Sequence, residues 1–169
     1  DVNDERNTWW NAHYYRRMGL VYSFMGEYHK ASNAYLEAIQ INENIEYSEN
    51  DLVTPLKSIC FYGYMQELIG NSETAKENMT ECAQWIEENS EQFSDDWGAY
   101  HAYETLWPLY LYQKQMKVQD KASKYLNLAY EIIGPKQIEK YHQHSDKDTH
   151  PDFFYYRDII KAYENTLNQ

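Results

Sequence analysis

"MGLVYSFMGEYHKASNAYLEAIQIN", residues 18–42, decides how this chain folds. The stretch has two helix-compatible runs meeting at Gly26-Glu27, and small residues stand where large ones could have filled an apolar stripe: Gly19, Ala31 and Ala38. Small side chains at helical spacing let two helices approach closely, and a glycine between the runs supplies the turn. The stretch therefore reads as a helix-turn-helix hairpin with its contact positions hollowed out.

The same layout recurs along the chain. Helices are expected from about Thr8 to Met25, Tyr28 to Asn42, Thr54-Pro55 to Ile69, Ser72 to Asn89, Ser94-Asp95-Asp96 to Met116 and Gln119 to Ile133. Thr54-Pro55, Ser72 and Ser94-Asp95-Asp96 read as helix starts, and Gly134-Pro135 as a stop. A short helix to His142 and a last helix from Asp152 to Leu167 complete the reading. Pro108 falls inside the fifth helix and is expected to bend or break it. β-branched residues are sparse and no Asn-Gly or Asp-Gly hairpin signal occurs, so the class is all-α.

Tyr15, Met18, Gly19 and Tyr22, followed by Ala31 and Tyr35, resemble the W-x2-L-G-x2-Y and A-x3-F pattern of tetratricopeptide repeats. A second copy aligns Ile59, Tyr62 and Gly63 with Ala75, Met79 and Cys82, with Gly70 at the turn; Gln66 departs from the expected Tyr. A third aligns Leu106 and Leu109 with Ala122, Leu126 and Ala129, with Tyr110 at the Gly position. The copies fall at about 12–45, 54–89 and 95–133, with a C-terminal helical segment at 135–169. Ala31, Ala75 and Ala122 lie 44 and 47 residues apart, against a usual period of about 34. Such stretched repeats resemble those of bacterial signalling and regulatory proteins. The resemblance implies an α-solenoid of about three hairpins plus a C-terminal helix, folded as one domain. The chain begins at Asp1 rather than Met, which points to a segment of a larger protein.

In this family the first helix of each pair lines a concave groove. Carried over by position, the groove residues are His13, Arg16, Arg17, Leu20 and Phe24, then Lys57, Phe61 and Tyr64, then Trp107 and Leu111. Arg16, Arg17 and Lys57 would hold a carboxylate, since Arg offers a fork of donors. Phe61, Tyr64 and Trp107 would anchor apolar side chains. The resemblance implies a protein- or peptide-binding scaffold, with self-association as a further form of partnership. Leu20 and Tyr64 stand where a chaperone-tail clamp has Asn, so a chaperone tail is not the expected ligand. A domain that senses a ligand or signal peptide and gates a neighbouring effector is the alternative.

Composition narrows the partners. Net charge is −12, from 15 Lys+Arg against 27 Asp+Glu. An acidic surface opposes nucleic-acid backbones and anionic membranes. Cys60 and Cys82 lie within expected helices and read as small core residues, which fits a reducing, cytoplasmic setting. The loop "HQHSDKDTHPD" brings His142, His144 and His150 near several carboxylates, but without zinc or EF-hand spacing. It reads as a solvated link, with a metal-dependent enzyme as the remote alternative. No phosphate-binding, nucleophile-elbow or dinucleotide motif occurs. No catalytic residue and no cofactor is expected.

Overall fold

Three turns set the architecture, and they are copies of one another. In the computed structural model, which describes residues 5–47, 53–89, 93 and 98–168, with side chains from Trp9 onward, the helices are α1 (Glu5–Phe24), α2 (Tyr28–Asn42), α3 (Val53–Leu68), α4 (Ser72–Glu88), α5 (Gly98–Gln115), α6 (Gln119–Gln143) and α7 (Arg157–Leu167). Among the described residues there is no strand. At the first turn Gly26 N–H donates to Ser23 O at 3.1 Å and Glu27 N–H to Tyr22 O at 2.9 Å. The second turn repeats this with Gly70 to Glu67 and Asn71 to Gln66, the third with Lys117 to Lys114 and Val118 to Gln113. This is the Schellman closure, in which the residue past the helix is left-handed. Its φ is +73° at Gly26, +90° at Gly70 and +59° at Lys117. Each time the residue after it accepts from the Ala four positions on: Ala31, Ala75 and Ala122.

The chain is all-α, built of consecutive helical hairpins as in a helical-hairpin solenoid. The described residues fall into two compact units, Asp1–Glu88 and Asn89–Gln169. In the first, α1 packs along α2, α3 along α4, and α2 against α3. In the second, α5 packs along α6 and α6 against α7. Ala31, Tyr35 and Ala38 are buried, as are Ala75, Met79 and Cys82, and Ala122, Leu126 and Ala129. A Cβ on Gly19 would lie 2.9 Å from the Tyr35 ring, and one on Gly63 2.8 Å from Met79 Sδ. These two glycines mark close helix approach, as their spacing implied. The third hairpin puts Tyr110 at that position, with its ring 5.1 Å from Trp107.

Gln66, which departs from the family's Tyr, gains a different role. Its Nε2 donates to Ser32 Oγ of α2 at 2.6 Å, while its Oε1 accepts from Asn71 Nδ2 at 2.7 Å. The side chain is buried. A buried amide with both ends paired keeps its desolvation cost low and specifies one register. Here it ties the second turn to the first hairpin.

Several expectations need correcting. α1 begins at Glu5 rather than Thr8, and α3 at Val53, which places Thr54 and Pro55 inside its first turn. Asn71, not Ser72, holds the N-cap position of α4, because its carbonyl accepts from Ala75. The proposed cap at Ser94-Asp95-Asp96 lies outside the described residues. α5 runs unbroken through Pro108. α6 continues past Gly134, whose φ of 74° and ψ of 161° mark a kink between two helical segments. α7 starts at Arg157, not Asp152: Pro151–Phe153 is a 3-10 turn that drives Phe153 into the core. Cys60 and Cys82 are buried as expected, but they are joined in a disulfide, with Cα atoms 5.5 Å apart. Cys82 stands where Ala38 and Ala129 stand in the other hairpins. The close approach that small residues permit there is also what brings two sulfurs within bonding reach.

Candidate functional site

The second unit holds a cavity of about 460 Å³ walled by α5 and α7 and floored by α6. α5 contributes Trp107, Tyr110, Leu111 and Lys114; α6 contributes Gln119, Ser123 and Leu126; α7 contributes Asp158, Lys161, Ala162, Asn165 and Thr166. The hairpin repeat builds it. Trp107, Leu111 and Lys114 share one face of α5 at three- and four-residue spacing. Tyr110, the misfit at the Gly position, and Leu126, at the position of Tyr35, both line the space. The departure that weakens the third copy as a repeat is therefore part of the cavity wall.

Its polar groups are unevenly committed. Lys161 Nζ lies 2.7 Å from Asp148 Oδ1, and Asp158 pairs with Arg157 at 3.0 Å. Lys114 Nζ sits 5.5 Å from the centre of the Tyr110 ring, and among the described residues no carboxylate pairs with it. An ammonium beside an aromatic wall is suited to a carboxylate carried next to an apolar group. The hydrogen bond from Lys161 holds the Asp148 carboxyl below its ordinary range, and Tyr141, 3.0 Å away, adds to it. Burial raises the hydroxyls of Tyr103 and Tyr141, and pushes Tyr156 up to about 12. The raised values favour the protonated hydroxyl in each, and Tyr141 donates its hydrogen bond to Asp148.

Of the residues read from the sequence, Trp107 and Leu111 come together in this cavity. The first unit places the others differently. Leu20, Arg16, Lys57 and Phe61 are buried. Phe61 stacks on Tyr35 of α2 with centroids 5.4 Å apart, so it belongs to the hairpin contact. Arg17 Nε donates to His13 Nε2 at 3.4 Å, while Arg16 Nη2 lies 3.1 Å from His13 Nδ1. Of the trio expected to hold a carboxylate, only Arg17 is partly open to solvent; consecutive residues of a helix point about 100° apart, and Arg16 turns inward. Tyr64 is half-buried, its hydroxyl pushed up by burial, and Phe24 is exposed. The contribution of α7 was missed: its Lys161 and Asn165 carry no motif, and only packing against α6 brings them to α5.

The histidine loop divides. His142 pairs with Glu164 at 2.7 Å. His144 and His150 pack on buried Phe153, with ring centroids 5.0 and 5.2 Å from it, and Asp146 lies 3.0 Å from His144. Potential ligand atoms of His144, Asp146 and His150 fall within 4.8 Å of one another. The loop's own bonds already use them: His150 Nδ1 accepts from Asp152 N–H, and the His144 bond lowers Asp146.

No curated protein and no solved structure matches the chain. The tetratricopeptide repeat family model matches residues 12–45, the span that carries the first turn and the Gly19–Tyr35 contact. Residues 12–45, the first hairpin, are thus matched as one tetratricopeptide repeat.

Proposed function

We propose that the chain is a non-catalytic scaffold that binds a peptide segment of a partner protein in the α5–α7 cavity. Tetratricopeptide repeats are interaction scaffolds as a class, which supports binding over catalysis. The cavity carries the finer reading. It combines the Trp107 and Tyr110 rings with Lys114, a cation lacking a carboxylate partner among the described residues of an acidic chain. The matching ligand is a short peptide presenting an acidic group beside a large apolar side chain. Aromatic anchors supply most of such binding energy, and the ammonium sets orientation. A signalling or regulatory setting rests on the likeness of the stretched repeats to those of such proteins. The Cys60–Cys82 bond supports an oxidising compartment over the cytoplasmic one read from the sequence.

Peptide display on the whole chain tests this. Selected peptides should pair an acidic residue with an aromatic or large aliphatic one, and Lys114→Glu should weaken them at least about tenfold. Trp107→Ala should do the same, with circular dichroism unchanged. Peptides that bind both variants as tightly as the parent would remove the cavity as the site.

A further inference from the structure

The loop between α6 and α7 folds three ligand-type side chains together. His144 is the residue on which α6 ends, and His150 precedes the Pro151–Phe153 3-10 turn. Between them the chain doubles back. The Asp146 carbonyl accepts from Thr149 N–H at 2.9 Å, His150 N–H at 3.0 Å and Thr149 Oγ1 at 3.2 Å. This turn sets the two imidazoles beside each other, with ring centroids 4.7 Å apart, and both rest on the buried Phe153 ring. Asp146 Oδ1 lies 3.0 Å from His144 Nδ1. One donor atom from each of the three falls within 4.8 Å of the other two. His142 is set apart from this group by its pairing with Glu164 of α7.

The basic side chains nearby are committed elsewhere. Lys161 pairs with the Asp148 carboxylate, Arg157 donates to the Asp148 carbonyl at 2.6 Å, and Lys140 lies 3.7 Å from Asp152. Lys147 sits 5.1 Å from the centre of the Tyr141 ring. Among the described residues no Lys or Arg pairs with Asp146, whose partners are the two histidines. Two imidazoles and a carboxylate turned toward one another make a nitrogen-and-oxygen donor set.

We infer that His144, Asp146 and His150 form a site for a single Zn²⁺ ion, with water completing the shell. Two nitrogens and one carboxylate suit zinc, whereas Ca²⁺ and Mg²⁺ take oxygen donors. Zinc bonds of about 2.0–2.1 Å set tetrahedral donors about 3.4 Å apart, so the three must close by up to roughly 1.4 Å. The imidazoles are half-buried and the carboxylate is exposed, so side-chain rotation supplies this while the turn stays in place. The cation takes the place of the proton in the His144–Asp146 bond, which is released on binding. His150 gives up at most the long 3.3 Å bond from Asp152 N–H. Bound there, zinc ties the end of α6 to the turn that seats Phe153. The site does not rest on the peptide reading of the α5–α7 cavity.

Calorimetric titration of the whole chain with zinc chloride, after chelator treatment and without an affinity tag, tests it. One equivalent per chain is expected, with a dissociation constant of about 10 μM or tighter. His144→Gln, His150→Gln and Asp146→Asn should each weaken binding at least about tenfold with circular dichroism unchanged, whereas His142→Gln and His29→Gln should leave it as it is. Proton NMR of the unmodified chain supplies a reading free of variants: the imidazole signals of His144 and His150 should shift on adding zinc, with the other histidines unmoved. No binding at about 1 mM zinc, or binding that the His144 and His150 variants leave intact, or binding lost equally in His142→Gln, overturns the site.

Discussion

Lys117→Gly should stabilise the protein, although it deletes a whole side chain. Lys117 is the left-handed residue of the third turn, at φ +59°, where Gly26 and Gly70 stand in the other two. A side chain in that conformation costs about 1–2 kcal/mol. Gly relieves this strain but gives back roughly 0.5–1 kcal/mol through the greater freedom of the unfolded chain. Lys117 is exposed, so little packing is lost. The net gain is about 0.5–1 kcal/mol. Lys121→Gly, four residues on at an exposed site of α6, should instead lose about 1 kcal/mol, since Gly weakens a helix interior. Gly26→Ala should lose a similar amount at its own left-handed position. Urea unfolding of the three variants, followed by far-ultraviolet circular dichroism and compared at equal slope, reads the signs directly. A neutral or destabilising Lys117→Gly, or a Gly26→Ala without loss, would refute the shared-turn reasoning.

Gly19→Ala should cost about 1–3 kcal/mol, because its new methyl meets the buried Tyr35 ring at 2.9 Å; thermal unfolding measures it. Replacing Cys60 and Cys82 together by Ala should cost about 2–4 kcal/mol by opening a loop whose ends are 22 residues apart; denaturant midpoints with and without reductant check this, and reductant should leave the double variant unmoved. Asp148 has a lowered folded-state pKa, so the stability it contributes is present above its unfolded value of about 3.9 and is lost as pH falls through the folded value. A pH series of unfolding midpoints should therefore steepen below about pH 4, and Asp148→Asn should flatten it.

The hairpins were legible because their causes are local. Helical periodicity, a turn glycine and a small residue at a fixed offset lie within one hairpin, and Gly19, Gly26, Ala31 and Ala38 record them. The third copy read poorly because Tyr110 and Lys117 replace two glycines, although the turn hydrogen bonds are the same. Residue type is a preference, whereas turn geometry is imposed by the helices on either side. The groove was half legible. Trp107 and Leu111 followed from repeat position, but position along the repeat does not say how deep a side chain lies, and Arg16 and Lys57 are buried.

The sequence by itself determined the class, the hairpin boundaries to within a few residues, and the positions where helices press together, since backbone preference and periodicity act over one or two turns. Tertiary structure alone decided the rest. The Cys60–Cys82 bond needs α3 and α4 laid side by side, the cavity needs α7 brought back against α6 to face Trp107, and Lys117 holds a left-handed turn because two packed helices leave it no other. Each depends on where distant segments meet, and that information lies in the packing of whole faces rather than in any short run of residues.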